Sequence, residues 1–86
     1  MDVEEQTLNL DYPCEWEYRV IGSEPAPLEQ AIKEVMGARA YTCQEGRQSG
    51  GGKWITRVVS LVVQDENERT SLYEQLRSHE AVKIVL

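Results

Sequence analysis

Along "CEWEYRVIG", Cys14, Trp16, Tyr18 and Val20 alternate with Glu15, Glu17 and Arg19, the period of two of a strand with one buried face. Gly22 and Ser23 close that strand. Pro25 and Pro27 then suit a first helical turn, whose N–H groups lack internal partners anyway. Leu28, Ala31, Ile32, Val35 and Met36 recur at three and four residues, one apolar stripe along a helix, and Gly37 supplies its stop. "YTCQEGR" reads as a weaker strand, leading through "QSGGG" into "KWITRVVSLVVQ", the strongest strand in the chain, so the two form a hairpin. In the second of them Ile55, Val59, Leu61 and Val63 share the core phase with Arg57; Trp54, Thr56, Val58, Ser60 and Val62 take the other. Asp65 with Glu68 three residues on is a helix-starting pair, and Leu72, Tyr73 and Leu76 mark the buried side of a helix ending near Ser78. "AVKIVL" is the last strand, with Val82, Ile84 and Leu86 expected inward and Lys83 outward.

This βαββαβ order predicts an α+β fold, a ferredoxin-like plait: a four-stranded antiparallel sheet with two helices on one face. The other sheet face would show Glu15, Glu17, Arg19 and Lys83 beside Trp54, Val58 and Val62. Eighty-six residues are enough for one such domain with little interior left over for a deep cleft. No apolar run approaches the roughly 18 residues of a membrane span. The amino terminus has neither the positive start nor the apolar stretch of a secretory signal, so a cytoplasmic protein is expected.

Charge refines the division of the chain. Of the net charge of −6, Met1 to Asp11 contributes four acids, Asp2, Glu4, Glu5 and Asp11, and no base, so the remainder is nearly neutral. Residues 1–11 are therefore expected to be an acidic, mobile tail and 12–86 the domain, with Leu8 and Leu10 marking a short edge strand as the alternative. That balance gives no support to nucleic-acid binding through a basic surface, and the open sheet face lacks the aromatic set of an RNA-recognition fold.

The glycine-rich "GRQSGGGKW" ends in Lys53, which raises the question of a phosphate loop. Such a loop needs Ser or Thr after the lysine and a helix behind it, whereas here Trp54 and a strand follow. No catalytic or metal set is expected, and no cofactor: there is one histidine, His79, and Cys14 and Cys43 are separated cysteines in strand phases compatible with burial. Glu15 and Glu17 with Arg19 read as a solvated cross-strand charge set.

The residues "YPCEWEYRVIG", "EGRQSGGGKW" and the closing "AVKIVL" resemble the YbeD-like family of small bacterial proteins of unknown function, from Tyr12 to Leu86. The resemblance implies the same plait, similar to regulatory ACT domains that bind small ligands and pair with copies of themselves, and its members carry the label of lipoate regulators. Arg57 departs from an otherwise apolar phase. The turn "GSEPAPL" loosely resembles the place where ACT domains hold an amino acid, which makes Gly22, Ser23 and Glu24 the weaker ligand-binding candidates, against capping of the helix by Ser23.

The resulting expectation is a nonenzymatic regulatory or protein-interaction module, with ACT-like small-molecule sensing as the alternative and self-association left open. Gly46 to Gln64 contains no acid but holds Arg47, Lys53 and Arg57 around Trp54, so these four are the partner-binding candidates and an acidic protein is the complementary partner. The period of two limits the set, because Trp54 and Arg57 should point to opposite sheet faces.

Overall fold

A computed structural model describes residues 11–47 and 52–86. The expected acidic tail, but for Asp11, and the tip of the hairpin lie outside them. The elements follow the predicted order: β1 Cys14–Gly22, α1 Pro25–Met36, β2 Tyr41–Glu45, β3 Ile55–Val63, α2 Glu66–Ser78 and β4 Ile84–Val85. They form one antiparallel sheet in the order β2-β3-β1-β4. The helices pack on each other and against β1 and β3, which makes a ferredoxin-like α+β plait.

The inward phases of the two central strands meet the helices as their alternation requires. Tyr18 and Val20 of β1 and Ile55, Val59, Leu61 and Val63 of β3 are buried with all five predicted residues of α1 and with Leu72 and Leu76 of α2. Each fully buried aliphatic side chain contributes roughly 1.5–3 kcal/mol relative to exposure, which is why this phase fixes the strand register. Cys14 and Trp16 are partly buried against the same core.

The turn between β1 and α1 is governed by close packing. A Cβ on Gly22 would lie 2.8 Å from the Ala81 carbonyl oxygen, so only glycine fits there. Glu24, not Ser23, is the N-cap of α1, and no side chain caps it. Gly37 ends the helix at φ 62°. In α2 the expected pair is present: the Glu68 N–H donates to Asp65 Oδ1 at 2.7 Å, and the Gln64 N–H to Glu68 Oε1 at 2.7 Å.

Three expectations are corrected. Ile84 and Leu86 are exposed, and the inward residues of the last segment are Val82 and Val85. The Val82 N–H donates to the His79 carbonyl in a turn, so the alternation starts anew after it; pairing Val85 with buried Val20 then turns Ile84 outward. Tyr73 is also exposed, since α2 buries only the Leu72 and Leu76 stripe. Cys43 shares its sheet face with Val59, its cross-strand partner, but β2 is an edge strand and the cysteine is exposed.

Candidate functional site

The sheet face opposite the helices carries no covering element among the described residues. Toward one end of it lies a shallow hollow of about 290 Å³ whose floor is Ile21, Thr56, Val58 and Leu86 and whose rim holds Arg19 and Arg47. β1 supplies Arg19 and Ile21 from its outward phase, and β3 supplies Thr56 and Val58. Leu86 joins them because it exchanges both backbone hydrogen bonds with Arg19, at 3.0 and 2.8 Å, and directly opposed residues share a face. Gly46 completes the hollow and has to be small: an added Cβ would meet Thr56 Cγ2 at 2.9 Å.

Its electrostatics run along the strands. At the far end of the same face stand Glu15 and Glu17, and Glu17 reaches Arg19 with an exposed, long contact of 3.4 Å that constrains the guanidinium little. Arg47 is exposed. Two guanidinium groups over an apolar floor can receive carboxylates in bidentate fashion while burying an apolar group between them.

The four partner-binding candidates divide. Arg47 lies in this hollow, and Lys53 and Trp54 form a local pair at the same end of β3, with Nζ 5.8 Å from the ring centroid. Arg57 is separated from them by the sheet. It is 9% exposed on the helix side, where its Nε donates to Glu29 Oε2 of α1 at 2.8 Å and its Nη1 to the Thr56 carbonyl at 3.2 Å. There it walls a second hollow, of about 390 Å³, between α1 and β2 with Lys33, Tyr41 and Cys43. Partial desolvation of the thiol where it faces this hollow, more than nearby Glu29, pushes Cys43 above its ordinary pKa and leaves it less of a nucleophile, although the residue as a whole is exposed.

At the weaker ligand candidates, Gly22 is occupied by packing against Ala81 and Leu28. Pro25 and Pro27 hold two of the first three helical positions and have no N–H, so that turn offers an anion little beyond the Ala26 amide. His79 is engaged at both ring nitrogens, Nε2 with Glu34 Oε1 at 2.9 Å and Nδ1 with the Ala81 N–H at 3.2 Å. Among the described residues no three His, Cys, Asp or Glu side chains gather as a metal site would need. Among the described residues no helix is long and apolar enough to cross a membrane.

Sequence reasoning had Arg19 on the open face but missed Leu86 beside it, because that neighbour follows from the β1–β4 register. The alternation within "AVKIVL" pointed the other way.

Comparison with known proteins bears on the whole plait. A Neisseria gonorrhoeae protein described as UPF0250 is 30% identical over 96% of this chain and 96% of its own. The solution structure of HP0495 from Helicobacter pylori superposes with a TM-score of 0.77 at 24% identity, covering 100% of this chain and 94% of that one. The ACT domain of the GTP pyrophosphokinase of Chlorobium tepidum shares the fold, with a TM-score of 0.60 at 17% identity over 84% of this chain and 94% of that one. Residues 8–86 match the family described as protein of unknown function, DUF493, so the chain belongs to the family that its strand and turn residues resemble.

Proposed function

We propose that this protein is a nonenzymatic regulatory module that acts by binding a protein partner, and that the open sheet face around Arg19 and Arg47 is its working surface. The observation that carries the reading is the pair of arginines rimming an apolar floor on an uncovered sheet face, in a chain whose net charge is −6. A partner surface that presents carboxylates around an apolar side chain matches it in charge and in polarity. Trp54 and Lys53 extend the surface toward the hairpin.

The test is the affinity of a partner captured from the source cell, purified and titrated against the chain at two salt concentrations. R19E/R47E should weaken binding by at least about tenfold and flatten its salt dependence, since both steering charges are reversed. R57M should bind as the wild type does, because Arg57 lies on the helix side. Unchanged affinity in R19E/R47E contradicts the proposal.

The hollow between α1 and β2 favours a second reading, small-molecule sensing, in keeping with the fold shared with an ACT domain. A ligand held there raises the melting temperature by mass action, about 2.7 kcal/mol of stabilisation at a hundredfold excess over Kd.

A further inference from the structure

β1 is paired along its whole length on one side and only in part on the other. β3 runs beside all nine residues, from Val63 opposite Cys14 to Ile55 opposite Gly22. β4 pairs with Val20 and Ile21, and its contact ends where Leu86 bonds Arg19. In an antiparallel sheet alternate residues direct their N–H and C=O to the same side. Glu15 and Glu17, in step with Arg19 and Ile21, therefore turn theirs toward the β4 side. There they have no backbone partner among the described residues. Two residues with four hydrogen-bonding groups make an edge on which an added strand can pair.

That edge borders a groove. On its helix side a hollow of about 300 Å³ is walled by Trp16, Tyr18, Thr70, Tyr73 and Leu86, with Glu17 at the edge itself. Arg69 is pressed on the Trp16 ring, 4.8 Å from the centroid, and its Nε donates to the Tyr12 hydroxyl at 2.9 Å. The groove thus combines apolar and aromatic walls with a fixed cation, a setting for an uncharged apolar side chain. On the opposite sheet face the same stretch of edge carries the carboxylates of Glu15 and Glu17, exposed.

We infer that this edge takes an extended segment of a partner protein, added antiparallel to β1 in line with β4, with lysine or arginine opposite Glu15 and Glu17 and apolar residues alternating into the groove beside Trp16 and Tyr73. Charge selects this occupant. The chain's own residues 1–10 hold Asp2, Glu4 and Glu5 and no lysine or arginine to face Glu15 and Glu17. A second copy would bring Glu15 and Glu17 against the same pair, and like charges directly opposed are destabilising. The site adjoins the Arg19–Arg47 hollow, with Leu86 common to both, but it uses backbone groups of Glu15 and Glu17 and calls for the opposite charge, so the inference goes beyond the sheet-face reading.

The experiment titrates the full chain, uniformly labelled with nitrogen-15, with acetyl-Val-Lys-Val-Lys-Val-amide, with its glutamate counterpart and with a peptide of the same composition in scrambled order. Read at the Glu15 and Glu17 amides, the alternating lysine peptide is expected to bind saturably, at least tenfold tighter than either control does there, and to slow exchange of those amides at least tenfold. E15K/E17K, two exposed changes, should reverse the preference toward the glutamate peptide, and Y73S should weaken binding without altering the fold. Equal affinity for the scrambled peptide, or no saturable binding, overturns the inference. So does protection of the Glu15 and Glu17 amides in the free chain: protection that fades on dilution assigns the edge to a second copy, and protection independent of concentration assigns it to the chain's own residues. Arg19 and Arg47 are unchanged throughout, so failure here leaves the sheet-face proposal standing.

Discussion

The Tyr18 hydroxyl donates to the Arg69 carbonyl at 2.6 Å from a ring that is 2% exposed, and burial, chiefly, pushes its pKa up to about 12. Replacement by phenylalanine keeps the packing but leaves a carbonyl of α2 without that donor. Tyr18→Phe should lower unfolding stability by about 1–2 kcal/mol in a urea titration. Spectrophotometric titration of the wild type should show a tyrosine whose ionisation has its midpoint at about pH 12. A wild-type-like midpoint in Y18F contradicts this account. Gly22 is the sharper case of a residue whose reason lies far along the chain. Its glycine was legible as a strand closer, but the 2.8 Å approach of the Ala81 carbonyl was not, because nothing local to Gly22 encodes a contact with the start of the last segment. Gly22→Ala forces backbone apart and should cost about 1–3 kcal/mol.

Between elements, Glu68 and Arg39 join the two helices. Arg39 Nε donates to Glu68 Oε2 at 2.8 Å while its Nη1 donates to the Met36 carbonyl at 3.2 Å, so one side chain caps the end of α1 and holds the start of α2. Arg39, then the Gln64 N–H, lowers the Glu68 pKa below the usual carboxylate range; the His79 ring and then Gln30 do the same for Glu34. Groups depressed in the folded state stabilise it fully above their unfolded pKa, near 4.5, and lose that contribution as pH falls through the folded values. Unfolding stability should therefore decline below about pH 4.5, and less steeply in Glu68→Gln than in the wild type. Removal of the cap by Asp65→Ala should cost about 1 kcal/mol at neutral pH, measured by urea unfolding. The Asp65–Glu68 spacing was readable because capping is local, whereas the role of Arg39 depends on how α1 meets α2. The last strand was misread for a related reason: the turn at His79 resets its phase, and the only guide to the new phase is Val20 on another strand.

At the scale of the molecule, the alternation of β1 and β3 and the stripe of α1 were enough to predict the plait, since each is a long pattern with one buried face. The candidate site was legible in fragments. Arg47 and Trp54 could be placed near the hairpin from sequence, and Arg57 could be seen to oppose Trp54, but the hollow also needs Leu86, which only sheet register brings beside Arg19. The uncovered face is consequently polar along its length, with Glu15 and Glu17 at one end and Arg19 and Arg47 toward the other. The most direct test of the sheet-face proposal is to titrate the full chain with acetyl-Glu-Leu-Glu-Leu-Glu-amide and follow backbone amide shifts by NMR. The account predicts shifts concentrated at Arg19, Ile21, Gly46, Thr56, Val58 and Leu86 that disappear in R19E/R47E. Shifts confined to α1 and α2, or a response undiminished in that variant, would contradict it.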